Sequence, residues 1–343
     1  MNFRFLTPAL ALYLLSFLIS FATAKPKVWI YSDGADRALE RAPGKHITDP
    51  DDISALANYL LMSNQFETLG VVVGGNRNAS PEQRKLSMKT WAEELFLKAY
   101  LEDLPKLNDE IGGYQHSIRF IESYIWSNPE KFDLEKNYTD IAAYPSVKIL
   151  FDELVESDEP IYVLCWGMLT EPAILIRHCI ERERLDVLEK ARFISHWTNS
   201  YFHVGSIEKP EHVHNAFNDA EAAAYTKQMA LEAKVTFYEC AAIGEAGIVA
   251  GSPKGREFYN QFKDSALGRI YVTGKFARNK NTVDDSDSAT HWVLLGDYGV
   301  NLKDIAHDGT NTPETERRNE ASFFKNAHRI RNELLRRAKA VGS

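Results

Sequence analysis

Three consecutive stretches decide how this chain reads: KVWIYSD (residues 27–33), DPDDISALANYLLM (49–62) and TLGVVVGGN (68–76). Lys27 to Tyr31 is a short, β-rich apolar run stopped by Ser32-Asp33-Gly34, which predicts a buried strand ending in a loop. Between Asp51 and Met62 the apolar residues at 53, 56, 57, 60 and 61 have the spacing of one helix face. Leu69 to Val73 then reads as a second buried strand, closed by Gly74-Gly75-Asn76. Strand, helix and strand of nearly unbroken apolar character make the βαβ unit of a parallel sheet.

The alternation continues along the chain. Helices are expected near 81–100, 115–126, 142–156, 170–184, 219–231, 254–264, 287–296 and 318–339, and strands at 161–165, 191–195 and 235–238. No internal repeat and no low-complexity linker interrupts them. The expected fold is α/β: an open, mainly parallel sheet with helices on both faces and a Rossmann-like core, forming one domain over residues 25–343. The last helix, which carries Arg329, Arg331, Arg336 and Arg337, reads as a solvated amphipathic surface helix.

Composition narrows the class. A chain of 343 residues that is 44% hydrophobic and 26% charged excludes collagen-like, disordered and coiled-coil readings. Residues 1–24 have the form of a secretory signal peptide: Arg4, an apolar run from Ala9 to Phe21, and the small-x-small site Ala22-Thr23-Ala24. A secreted or periplasmic protein with no stable membrane anchor after leader removal is therefore expected. A net charge of −8 argues against a nucleic-acid polymer as partner, because that affinity depends on clustered cations. Cys165, Cys179 and Cys240 are too few and scattered for a disulfide framework or a zinc site and allow one disulfide at most. Asn78-Ala79-Ser80 and Asn137-Tyr138-Thr139 fit the N-glycosylation acceptor pattern. A homo-oligomer is left open.

In open α/β sheets, ligands bind outside the carboxyl ends of the strands. Asp33, Asp36, Asp49, Asp51 and Asp52 gather there within twenty residues, and such a group repels itself unless a cation neutralises it. A hard divalent cation with oxygen ligands is the natural answer, and helix capping by Asp49 or Asp51 on a solvated loop is the plainer one. A second acidic cluster, Asp284-Asp285-Ser286-Asp287, precedes another helical run and lacks the glycine and distal Glu of an EF-hand. It is expected to converge on the same strand-end site.

Taken together these segments resemble the inosine-uridine-preferring nucleoside hydrolases. That family's first strand ends in an Asp, Pro-Gly-x-Asp-Asp opens the following helix, and the next strand closes in Gly-Asn; here Asp33, the pair Asp51 and Asp52, and Asn76 stand in those places. The spacing from Asp33 to Asp51 is 18 rather than the family's 4, a loop insertion that leaves Asp49 as a second contender for the first position. VLCWGMLTEPAILI (163–176) is similar to the family's strand followed by Gly-x-Leu-Thr-Asn, with Glu171 in place of the Asn and Trp166 where a backbone carbonyl faces the metal. HVHNAFNDAEAAAY (212–225) matches an Asn followed four residues later by Asp-Pro-Glu-Ala-Ala, which selects Asn215 and Asp219. SDSATHWVLLGD (286–297) puts Asp287 at the last metal position and Ser286 where the family has a histidine.

The resemblance implies a Ca²⁺ held by Asp33, Asp52, Asp287 and the Trp166 carbonyl, with Asp33 as the base that deprotonates a bound water. Asp51, Asn76 and Asn215 would bind ribose hydroxyls in a small riboside substrate, whose N-glycosidic bond is hydrolysed. With Ser286 at the histidine position, the leaving-group acid has to be sought among His196, His203 and His214, with Trp166 and Trp197 as stacking faces. The alternative is a Ca²⁺-dependent carbohydrate or nucleoside binding protein that has lost leaving-group chemistry. A haloacid dehalogenase-type phosphatase, which also opens on a strand ending in Asp, wants a second Asp two residues further on, where Ala35 stands.

Overall fold

The computed structural model describes residues 24–203, 209 and 212–342. The leader reading falls almost wholly on residues 1–23, outside the described residues. Six strands form the central sheet: β1 (Lys27–Tyr31), β2 (Glu67–Val73), β3 (Phe120–Glu122), β4 (Ile161–Cys165), β5 (Ala191–Ser195) and β6 (Thr236–Glu239). Their spatial order is β3-β2-β1-β4-β5-β6, and every neighbouring pair is parallel. The chain builds outward from β1 in one direction and then resumes on the other side of it. The strand order therefore reverses between β1 and β4, the switch point where doubly wound sheets hold ligands.

The main helices are α1 (Asp51–Met62), α2 (Lys98–Glu110), α3 (Pro145–Glu156), α4 (Thr170–Glu181), α5 (Ala220–Leu231), α6 (Ala266–Gly274), α7 (Ala289–Leu295) and α8 (Pro313–Val341). Successive strand residues point to opposite faces. Val28, Ile30, Val71, Val73, Leu164 and Ile194 join a core shared with α1, α2, α6, α7 and α8. Trp29, Tyr31, Val72, Val163 and Phe193 join a second core under α3, α4 and α5. Every residue of α1 from Asp52 to Met62 is buried, so this helix is enclosed on all sides and its first turn is fixed rigidly against the sheet.

The structure corrects four expectations. The 115–126 segment is not a helix: it holds the edge strand β3 and a four-residue turn of helix, Tyr124–Ser127. Three residues carry too little pattern to reveal a strand whose identity comes from pairing with Val71–Val73. The expected helix near 81–100 is broken into Met88–Ala92, a π-helical stretch Glu93–Leu97, and α2. The C-terminal helix is not merely a solvated surface element, because Arg331 is fully buried and Arg337 nearly so. Finally, Cys165, Cys179 and Cys240 are all free and buried, so the disulfide that the sequence allowed does not form. Among the described residues no helix is long and apolar enough to cross a membrane.

Candidate functional site

The backbone ladder of the sheet runs one residue past the strand ends and sets the site in a row. Ser32 N donates to Val72 O (3.0 Å), Trp166 N to Tyr31 O (2.9 Å) and His196 N to Cys165 O (2.9 Å). Ser32, Trp166 and His196 thus lie side by side at the switch point. Next to them opens a cavity of about 670 Å³, a volume within the usual range for small-molecule sites. Asp33, Asp51, Asp52, Asn76, Trp166, His196, Trp197, His214, Asn215, Ser286 and Asp287 all line this one cavity, whereas His203 and Asp219, also singled out from sequence, do not. Asp49 lines it too, whereas Asp36 turns aside and accepts from the backbone N–H of Ala38 (2.9 Å).

Four carboxylates form the floor. Carboxylate oxygens of Asp51, Asp52 and Asp287 lie within 4.8 Å of one another. Asp33 faces Asp52 and accepts from Thr48 Oγ1 at 3.0 Å. Gly167 is what lets this happen, since a Cβ there would lie 2.7 Å from Asp33 Cβ. Asp52 accepts from Ser32 Oγ and from Gly34 N, and Asp51 accepts from Ser286 Oγ (3.2 Å). Burial first, and then mutual repulsion, pushes Asp33 up to about 7 and holds Asp51, Asp52 and Asp287 well above the usual carboxylate range.

Two scaffolding interactions deliver Asp287. Asp285 points away from the cavity and forms a bidentate pair with Arg331 of α8, both contacts at 2.5 Å, while Asn58 Nδ2 donates to it at 2.6 Å. Gly244 presses on the same turn so closely that a Cβ would meet Ser286 O at 2.0 Å. Held in this way, Asp284, Asp285 and Asp287 diverge, the first toward Lys275, the second into the core and the third into the cavity.

Lys275 was not anticipated from sequence. It follows α6, a helix that the apolar pattern did not reveal, and its Nζ lies 2.7 Å from Asp49, 2.8 Å from Asp284 and 3.8 Å from Asp51. The three acids raise its pKa despite burial. At the floor Lys275 stands among six carboxylates (Asp33, Asp49, Asp51, Asp52, Asp284 and Asp287), so the floor keeps an excess of negative charge. Asp287 Oδ2 and Asp284 Oδ1 are buried with no partner among the described residues. Buried acceptors of this kind, all oxygen, fit a hard divalent cation.

The remaining residues frame the floor. Asn76 Nδ2 donates to Asp33 O (3.0 Å), and Asn215 Nδ2 donates to the carbonyls of Trp166 (3.2 Å) and His196 (2.9 Å). The Trp166 carbonyl is therefore already a hydrogen-bond acceptor. Its indole is buried and donates to Thr290 Oγ1 (2.8 Å), so it offers no open stacking face, whereas Trp197 is partly exposed. Trp197 has φ 49°, an uncommon conformation for a bulky side chain and one that strained functional sites retain. His196 Nε2 lies 3.7 Å from Asp287 Oδ1, its Nδ1 has no hydrogen-bond partner among the described residues, and burial lowers its pKa to about 4. His214 is exposed at the mouth. His203 stands outside the lining and pairs with Glu320 (2.6 Å). Glu171 and Asp219 are structural: the first accepts from Ser123, Ser146 and the Tyr124 N–H, and the second pairs with Arg77 (2.9 Å) and caps α5.

A doubly wound parallel sheet with an acidic, asparagine-flanked cavity at its switch point defines the nucleoside hydrolase-like class of α/β proteins. Residues 46–237 match the family described as "Cellulose-binding Sde182, nucleoside hydrolase-like domain", and the chain belongs to that family. No curated protein matches the sequence. Among solved structures, the chain is similar to a nucleoside hydrolase-related hypothetical protein from Saccharophagus degradans that is associated with carbohydrate metabolism (13% identity, TM-score 0.57, covering 93% of this chain and 72% of that one). It is also similar to the effector protein XOO4466 (13%, TM-score 0.51, 98% and 99%) and to the type III effector XopQ, solved with adenosine diphosphate ribose (12%, TM-score 0.51, 98% and 98%). At these identities the likeness is one of fold.

Proposed function

We propose that this protein is a secreted, Ca²⁺-dependent N-ribosyl hydrolase, one domain over residues 25–343, that cleaves the N-glycosidic bond of a nucleoside or related riboside. The observation that carries the reading is the gathering of Asp33, Asp51, Asp52 and Asp287 from three separate chain segments at the switch point, with Asn76 and Asn215 beside them. Asp33, Asp52, Asp287 and the Trp166 carbonyl would hold the cation, with Asp51 beside them to take ribose hydroxyls. When bound, it neutralises the carboxylates, orients ribose hydroxyls and makes water more acidic.

The chain's own groups account for the rest. Asp33 accepts the proton of the water that attacks the anomeric carbon, and the bond to the leaving nitrogen breaks as the ring gains oxocarbenium character. The amides of Asn76 and Asn215 hydrogen-bond the sugar, and the acidic floor stabilises the positive charge that develops on it. Ser286 donates to Asp51, and His196 is held neutral, so neither is a charged acid at the leaving group. Of the candidate acids that leaves His214 at the mouth, so inosine and uridine should be poor substrates, with activity favouring a better leaving group or one that His214 protonates.

The family description favours a second reading, a carbohydrate-binding protein. Flat polysaccharide surfaces are gripped by exposed aromatic platforms, and among the described residues only Phe217 and Phe324 are exposed aromatics. Metal content of the purified protein, together with ribose release from a panel of nucleosides and nicotinamide riboside with and without chelator, separates the two. Chelator-sensitive release supports the hydrolase, whereas saturable binding without release supports the binder.

A further inference from the structure

The insertion between Asp33 and Asp51 folds into a hairpin, Glu40–Ala42 against Lys45–His46, turning at Gly44 with φ 72°. It is built onto the mouth of the cavity, and Arg41, Lys45, His46, Ile47 and Thr48 line it. Its position is fixed from several sides. Ile47 N donates to Leu39 O (3.1 Å), Asn78 Nδ2 to Ile47 O (2.8 Å) and Gln83 Nε2 to Glu40 O (2.9 Å), and His46 Nδ1 lies 2.8 Å from Arg37 O. The nearby acids are engaged elsewhere: Glu40 accepts from Gly44 N (3.1 Å), Asp49 from Lys275 and Glu245 from Lys280. The side chains of Arg41 and Lys45 are exposed and have no hydrogen bond or ion pair among the described residues.

The cavity is thus polarised, with unpartnered cations at the mouth and carboxylates at the floor, in a chain whose net charge of −8 repels anions elsewhere. A ligand that matches both ends carries a polyol and an anionic group. Guanidinium and ammonium groups bind phosphate well, the guanidinium bidentately. We infer that the hairpin is a phosphate subsite and that the preferred ligand is a phosphorylated riboside, with the sugar on the acidic floor and the phosphate under Arg41 and Lys45. This rests on the riboside reading above and adds the substrate class that it leaves open.

The test compares adenosine with adenosine 5′-monophosphate and 5′-diphosphate, and nicotinamide riboside with nicotinamide mononucleotide, on the full chain and on an Arg41→Ser/Lys45→Ser variant. Wild type should favour the phosphorylated member by about tenfold or more in kcat/KM, mainly through KM and less at high salt; the variant should bring the ratio near one. The monophosphate and diphosphate arms report whether one phosphate suffices. Equal values within each wild-type pair, or a preference that survives in the variant, overturn the subsite. If no riboside is cleaved, the hydrolase reading fails by itself, and calorimetric affinities for the same pairs decide the subsite: a phosphate-dependent affinity lost in the variant upholds it, and its absence overturns it.

Discussion

Replacing Arg331 with Met should be among the most damaging single changes in the chain. The guanidinium is fully buried and makes two 2.5 Å contacts to Asp285, a 2.7 Å contact from Nε to Ser252 Oγ, and a cation–π contact with Tyr271 at 5.7 Å. Met fills much the same volume, so little of the loss would come from a cavity. What remains is Asp285, fully buried, with Asn58 Nδ2 as its main surviving partner. Removing one member of a buried ion pair typically costs about 3–5 kcal/mol, a third or more of the stability of a modest domain. Because Asp285 anchors the turn that carries Ser286 and Asp287, Ca²⁺ uptake should weaken in the same variant. Urea unfolding followed by tryptophan fluorescence measures the loss. Adding Asp285→Leu should recover part of it, since the stranded charge is then gone. A loss below about 1 kcal/mol for Arg331→Met, or no recovery in the double variant, would refute the reasoning.

Asp52→Asn and Asp287→Asn should each raise the melting temperature in chelator, by relieving repulsion, and abolish stabilisation by Ca²⁺, which in wild type should reach about 2.7 kcal/mol at a hundred times the dissociation constant; differential scanning fluorimetry reads both. His203 faces Glu320, Glu316 and Glu245, and its pKa is raised, first by the hydrogen bond to Glu320. The pair's contribution is therefore full below the unfolded histidine pKa and fades as pH rises through the folded one, so the stability gap between wild type and His203→Gln should be largest in mildly acidic buffer and shrink toward alkaline pH. The three cysteines, buried and with thiol pKa values pushed up by burial, should stay silent to a thiol reagent until the protein unfolds, and then all three should react.

The parts of the fold that were legible in sequence are those whose pattern is local. β1, β4 and β5 are short, largely apolar runs of five residues and α1 carries apolar residues at helical spacing, and their limits agree with the structure residue for residue. β3 and α6 were not legible, the first because three residues carry no period and the second because it is short and rich in poor helix formers, Gly268, Ile270, Val272, Thr273 and Gly274. The cavity residues were found because several short motifs fell in the right order. Lys275 escaped because its acidic partners Asp49 and Asp51 lie more than two hundred residues away, and only the close packing of α6 on α1 joins them: Lys275 N donates to Ser54 Oγ (2.9 Å). Asp285 and Arg331 escaped for the same reason. Nothing in a run of three acids tells which one turns inward to a buried arginine on another helix.

The central claim is that the cavity hydrolyses ribosides with Asp33 as base. It is tested most directly by measuring ribose released from the best substrate of the panel, by wild type and by Asp33→Asn, each with saturating Ca²⁺. The account predicts steady release by wild type and a fall of about a hundredfold or more in kcat for Asp33→Asn, with KM little changed. Full activity in Asp33→Asn, or no ribose from any substrate with Ca²⁺ bound, would contradict it.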